Sequence, residues 1–151
     1  MLTDAALAYL HYACILILAG ALSAEALLLR ASPGAATIAA LVRADILYMI
    51  AAVLALASGA GRLLFGVKSM AFYVSNPWFH AKITLFVVIG LISIGPTRRF
   101  IQWRRSSLAN SAFMPHAADV AGARRLVMLE VHLLALLPLA AVCMARGFGM
   151  V

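Results

Sequence analysis

The sequence predicts an all-α membrane protein, a four-transmembrane-helix bundle. Three observations carry that expectation. The 151 residues are 66% hydrophobic and 11% charged, with a mean hydropathy of +1.04, and a soluble domain of this size needs far more polar surface. The apolar residues gather into four runs, each close to the roughly 20 residues that a bilayer requires of a helix. Most of the Gly, Pro, Ser and Arg falls between those runs, where chain breaks belong. A chain this short leaves room for a single integral membrane domain over residues 1–151.

The first span covers residues 5–29. Its leading segment carries Asp4 and no Lys or Arg, and its apolar run is longer than a signal-peptide core, so it is expected to be retained despite the small residues of "GALSAE". The connection "RASPGAAT" leads to the second span, residues 46–64. There Ala51, Ala55 and Gly59 recur at four-residue spacing. They form a small-residue stripe of the kind that lets helices approach closely in lipid, and Gly20 and Ala24 suggest another on the first span. The second connection, Gly66 to Pro77, is too apolar for an ordinary loop and is expected to form a short interfacial helix. The third span, residues 79–95, opens on "WFHAKITLFV", and the fourth, residues 126–145, contains Pro138, which should bend it or free a carbonyl.

The formal net charge of +7 is explained by the membrane, not by nucleic acid. Arg30 and Arg43 flank the first connection, and Arg98, Arg99, Arg104, Arg105, Arg124 and Arg125 lie in the third. Arg62, Lys68 and Arg146 lie on the other side, eight against three. The positive-inside rule then puts connections one and three in the cytoplasm of a bacterial inner (cytoplasmic) membrane, with both termini periplasmic. Tyr73, Trp78 and Phe79 are expected in the outer aromatic belt and Trp103 in the inner one. Cys14 and Cys143 fall within spans and read as apolar fillers.

Ionisable groups inside a span cost several kcal/mol unless paired or ligated, so each is a functional candidate. They fall into two layers. The outer layer holds His11, Arg62, His80 and Lys82. His80 and Lys82 are two residues apart, about 200° around a helix, so they cannot face one site. Lys82 shares its face with Phe86, Ile89 and Ser93, and His80 is expected at the interface. The inner layer holds Glu25, Asp45, Glu130 and His132. Glu25 follows His11 by fourteen residues, two heptads, and so shares its face. Asp45 beside Arg43 reads as a helix-start or ion-pair residue. Glu130 reads as a partner for Arg98 or Arg99. His132 lies too deep to face His11, so a pair of opposed histidine ligands is not legible.

An imidazole in a cationic, half-buried layer suits haem, whose iron takes an axial histidine and whose propionates are anions. The alternatives are a hydrogen-bonded His11 at a helix contact and a Lys82 that snorkels to water. "LHYACILILAG" in the first span, "GAGR" ending the second and "WFHAKITLFV" opening the third together resemble the HemJ-type protoporphyrinogen oxidases and the related CopD-like membrane proteins. The resemblance covers the first three spans. It implies a small bacterial four-helix protein that binds haem b, with His11 as the metal ligand and Lys82 as a functional residue. Over its whole length, with "PTRRFIQWRR" and the closing "MARGFG", the chain also resembles a family of bacterial membrane proteins without an assigned function.

Three functions follow as expectations. The first is a haem b oxidoreductase in which His11 binds metal, His11, Arg62 and Lys82 hold the cofactor and Lys82 acts in catalysis, with a tetrapyrrole or quinone as reaction partner. The second is a non-enzymatic haem or copper carrier, although the seven Met residues are scattered. The third is a transport or assembly subunit without cofactor. A proton-coupled transporter is disfavoured, because no Glu or Asp pair is read midway through the bilayer. The bilayer is the constant partner, and the sequence leaves a homo-oligomer open.

Overall fold

The computed structural model describes residues 2–66 and 70–148, and in them the fold is all-helical. The order is α1 (Leu2–Leu28), α2 (Ala35–Phe65), α3 (Met70–Val74), α4 (Pro77–Ala109) and α5 (Ala117–Ala145). The four long helices are each long and apolar enough to cross a membrane. α1 and α2 form one antiparallel hairpin and α4 and α5 another. The hairpins meet through α2 against α4 and α1 against α5, so the helices stand in the cyclic order α1, α2, α4, α5. The short α3 occupies the apolar second connection, where an interfacial helix was expected. Lys68 and Gly149 lie outside the described residues.

At the arginine-rich end α2, α4 and α5 outrun the expected spans, whereas α1 ends at Leu28, next to its expected end. α4 does not stop before Pro96 but continues through it to Ala109, 33 residues in all, about 50 Å of helix. Proline is tolerated where neighbouring helices re-satisfy the backbone, and Pro96 is fully packed. Because the helix continues, Pro96, Phe100, Trp103 and Ser107 make one inward stripe. Trp103 is therefore a core residue at 5% exposure, its ring 5.8 Å from that of Phe100, and not a member of an interfacial belt.

Two local devices fix the other end. Asn76 caps α4, its Oδ1 accepting from the Trp78 N–H at 3.0 Å, with Pro77 following as first helical residue. Its Nδ2 donates to the Met144 carbonyl on α5 at 3.3 Å. α5 ends at Gly147, whose φ of +72° suits a residue without Cβ. The Gly147 and Phe148 N–H groups return to the carbonyls of Met144 and Cys143, the Schellman arrangement. The closing "ARGF" is thus a helix terminator, tied through Asn76 to the start of α4.

Small residues admit the neighbours only where the fold brings them together. Ala51 and Ala55 are 2% exposed, and Gly59 abuts the His11 ring. Gly20, by contrast, is exposed with no neighbour where a Cβ would stand, so the packing stripe of α1 runs through Cys14, Leu18, Ala21, Leu22 and Glu25 instead.

Candidate functional site

At the end opposite the arginine-rich one, His11 points from α1 into α2. Its Nδ1 donates to the Ala55 carbonyl at 2.9 Å and lies 3.2 Å from the Ser58 Oγ. The Ser58 hydroxyl gives its own proton to the Leu54 carbonyl at 2.7 Å, with the Ala55 carbonyl at 3.1 Å. A carbonyl only accepts, so Nδ1 carries the proton and Nε2 keeps its lone pair. Room for the ring comes from Gly59. A Cβ there would stand 3.3 Å from the His11 Cε1. The backbone bond and the missing side chain together hold the imidazole in one orientation.

Arg62 comes from the next turn of α2. Its guanidinium lies over the Tyr12 ring, 5.8 Å from the centroid, and its Nε is buried without a hydrogen-bond partner among the described residues. Lys82 is half-buried on α4, on the face with Phe86, Ile89 and Ser93, of which Ile89 and Ser93 are buried. Arg62 and Lys82 are both electrostatic neighbours of His11, and Arg62 of Lys82. Three of the four groups expected in this layer therefore converge. His80 does not. It is exposed, and its Nε2 donates to the Val74 carbonyl at 2.8 Å, closing the turn between α3 and α4.

The second layer differs from what the sequence suggested. Asp45 does not start a helix, since α2 begins ten residues earlier. It is 6% exposed and accepts from the Thr97 hydroxyl of α4 at 2.7 Å. Glu25 and Glu130 are 2% and 1% exposed, each with an Oε1 that finds no hydrogen-bond partner among the described residues. Glu25 has the carboxyls of Asp45 and Glu130 as neighbours, and the Tyr48 hydroxyl stands against Glu130 and Ser93. Glu130 does not pair with Arg99. That guanidinium folds over Gly122, where a Cβ would come within 2.9 Å of Nη1, and its Nη1 is also unpartnered. Gly122 is eight residues from Glu130, about 12 Å along α5. His132 bonds back to the Met128 carbonyl of its own helix and is exposed.

The inner-layer acids therefore form a carboxyl cluster, assembled from α1, α2 and α5. No one helix displays it. The signal that could have found it was the position of Glu25 and Glu130 on the apolar stripes of their helices, where an acid has no exit to water.

The family model described as "Predicted membrane protein (DUF2214)" matches residues 3–149. The chain belongs to this family. No curated protein and no solved structure matches it. Two motifs of this DUF2214 chain now have structural accounts. "PTRRFIQWRR" supplies the Thr97 bond to Asp45, the Arg99 cover on Gly122 and the Phe100–Trp103 core, and "ARGF" ends α5.

Proposed function

We propose that the chain is a membrane haem b protein and an oxidoreductase related to the HemJ type, with His11 as the axial ligand. One observation carries the proposal. The His11 ring is fixed by its Nδ1–H bond to Ala55, which leaves the Nε2 lone pair beside two cationic side chains. A metal-ligating histidine ordinarily donates its other ring N–H in this manner. The donor set suits haem better than a bare ion. Among the described residues no three His, Cys, Asp or Glu side chains gather as ligands, whereas a porphyrin brings its own nitrogens and asks the protein for axial donors only. That also disfavours a copper carrier.

Haem b supplies one-electron oxidation and reduction when bound. The chain's own part is positional. His11 presents Nε2 in a fixed orientation. Arg62 and Lys82 offer positive charge to carboxylates, whether propionates or those of a tetrapyrrole substrate, and Arg62 is held in place by the Tyr12 ring. The HemJ-like segments "LHYACILILAG" and "WFHAKITLFV" carry His11 and Lys82, which supports the same assignment. Both termini are proposed to face the periplasm from the inner membrane, on the arginine asymmetry.

The test is an absorption spectrum of detergent-purified protein made with ample haem supply. A Soret band with reducible α and β bands is expected, and His11→Ala should abolish or strongly shift it. An unchanged spectrum in that variant removes His11 from the ligand set. Lys82→Arg should keep most porphyrinogen oxidation, and Lys82→Met should lose it with the spectrum intact.

The carboxyl cluster favours a second reading, a proton-coupled membrane protein in which Glu25, Asp45 and Glu130 carry the proton. Proteoliposomes with an entrapped pH dye decide it. Proton flux that disappears in Glu25→Gln and Glu130→Gln, in a colourless protein, would replace the haem reading.

A further inference from the structure

The seam between the C-terminal end of α1 and the N-terminal half of α5 contains two cavities, of about 580 Å³ and 280 Å³. Arg30, Arg124 and Met128 line both, so they form one continuous groove. Its upper part adds Arg125 to the other two arginines. Its lower part is walled by Ala26, Leu27 and Val131 and is almost wholly apolar. No Asp or Glu lines either cavity. All three arginines are exposed, and none is tied down by an acidic partner among the described residues.

The position of the groove identifies what fits it. Arg30 follows the apolar run of α1, and Arg124 and Arg125 precede that of α5, so the guanidinium groups stand at the boundary of the hydrophobic zone. From Arg124 to Val131 the groove descends seven residues, about 10 Å into that zone. A charged head with an apolar slot below it matches a molecule that is anionic at the interface and hydrocarbon beneath.

We infer that this groove binds an anionic phospholipid, with the phosphate at Arg30, Arg124 and Arg125 and an acyl chain along Leu27, Met128 and Val131. Basic pockets between transmembrane helices hold phosphorylated headgroups by charge and by bidentate guanidinium bonds. Arginine at an interface attracts anionic lipid anywhere on a membrane protein. Here three arginines converge on a recess with an acyl path, which a flat basic surface lacks. The inference is independent of haem, since the groove is at the other end of the bundle from His11.

The test is native mass spectrometry of the delipidated full chain in mild detergent, titrated with equimolar phosphatidylglycerol and phosphatidylcholine. One phosphatidylglycerol per chain is expected, in clear preference to phosphatidylcholine. Each lost arginine should weaken it by roughly fivefold, the value of about one interfacial charge, so Arg30→Gln with Arg124→Gln should remove the preference. Arg104→Gln with Arg105→Gln is the control. It leaves the same net charge, touches neither cavity and should keep the preference. Equal loss in both pairs would reduce the effect to general surface charge and overturn the site. Displacement of the lipid by millimolar inorganic phosphate would overturn it in favour of a soluble phosphate site. Circular dichroism of the exposed-arginine variants should match wild type.

Discussion

The two ionisable layers of this bundle handle the same problem in opposite ways. At the His11 end, Arg62 and Lys82 are half-buried, one resting on an exposed tyrosine ring, and the histidine is bonded to a backbone carbonyl. Each of these groups has a partner or a route toward the surface. In the inner layer, Glu25, Asp45 and Glu130 are buried: Asp45 accepts from Thr97, Glu130 has the Tyr48 hydroxyl against it, and Glu25 keeps an Oε1 with no partner among the described residues. The contrast separates two costs. A long cation one or two turns inside a span keeps its head near water at little expense. A short acid at the bundle axis cannot, and it stays only if the surrounding helices or a function require it.

That contrast can be broken experimentally, beginning with the largest effect. Gly59→Leu places a side chain where the His11 ring now stands, and overpacking of this kind costs about 3 kcal/mol. It should lower the unfolding midpoint in a detergent titration and displace the imidazole. Gly20→Leu, which faces open space, should leave the midpoint within error. If the two variants unfold alike, the orientation of His11 is not set by this packing.

Thr97→Val comes next. It removes the donor to Asp45 and strands a buried carboxyl, at about 2 kcal/mol. Asp45→Asn in the Thr97→Val background should recover most of that loss, and a double variant as weak as the single would deny the Asp45–Thr97 bond its role. Asn76→Ala should cost about 1 kcal/mol by removing the α4 cap, with a little more from the lost tie to Met144, read by the same titration. The smallest effect belongs to Glu130. Its replacement by Gln keeps the shape and removes a buried ionisable group that has no cation beside it, so stability should stay within about 0.5 kcal/mol of wild type or rise. A large drop would mean that the carboxylate itself holds α5 in place.

The order of these effects also shows what a sequence can and cannot reveal about such a site. The outer layer was legible residue by residue. His11, Arg62 and Lys82 could be assigned a depth by counting turns, and Lys82 a face by its spacing to Phe86, Ile89 and Ser93, because helix geometry converts sequence number directly into height and angle. His80 was correctly kept out for the same reason. The inner layer was legible in the depth of Glu25, Asp45 and Glu130 but not in their partners. Asp45 was misjudged as a helix-start residue because the start of α2 was placed eleven residues too late, in a segment less apolar than its centre. Glu130 was given Arg98 or Arg99 as a partner on the strength of nearness to the interface, whereas the fold turns Arg99 onto Gly122. Trp103 lies beyond the expected third span and is expected in the inner aromatic belt, whereas the continuing α4 buries it.

By itself, then, the sequence determined the class, the four long helices, their alternating direction and the heights of the polar groups. Apolar run length, charge bias and the 3.6-residue turn are properties of one segment at a time and need no knowledge of the others. The tertiary structure decided which helices are neighbours and hence which polar groups meet. The cyclic order α1, α2, α4, α5 puts the Ala55 carbonyl and Gly59 against His11, gathers Asp45 and Glu130 from two other helices around Glu25, and opens a basic groove between α1 and α5. Those are relations between faces of different helices, set by how small residues, a cap and a glycine let the helices approach. No single segment carries them.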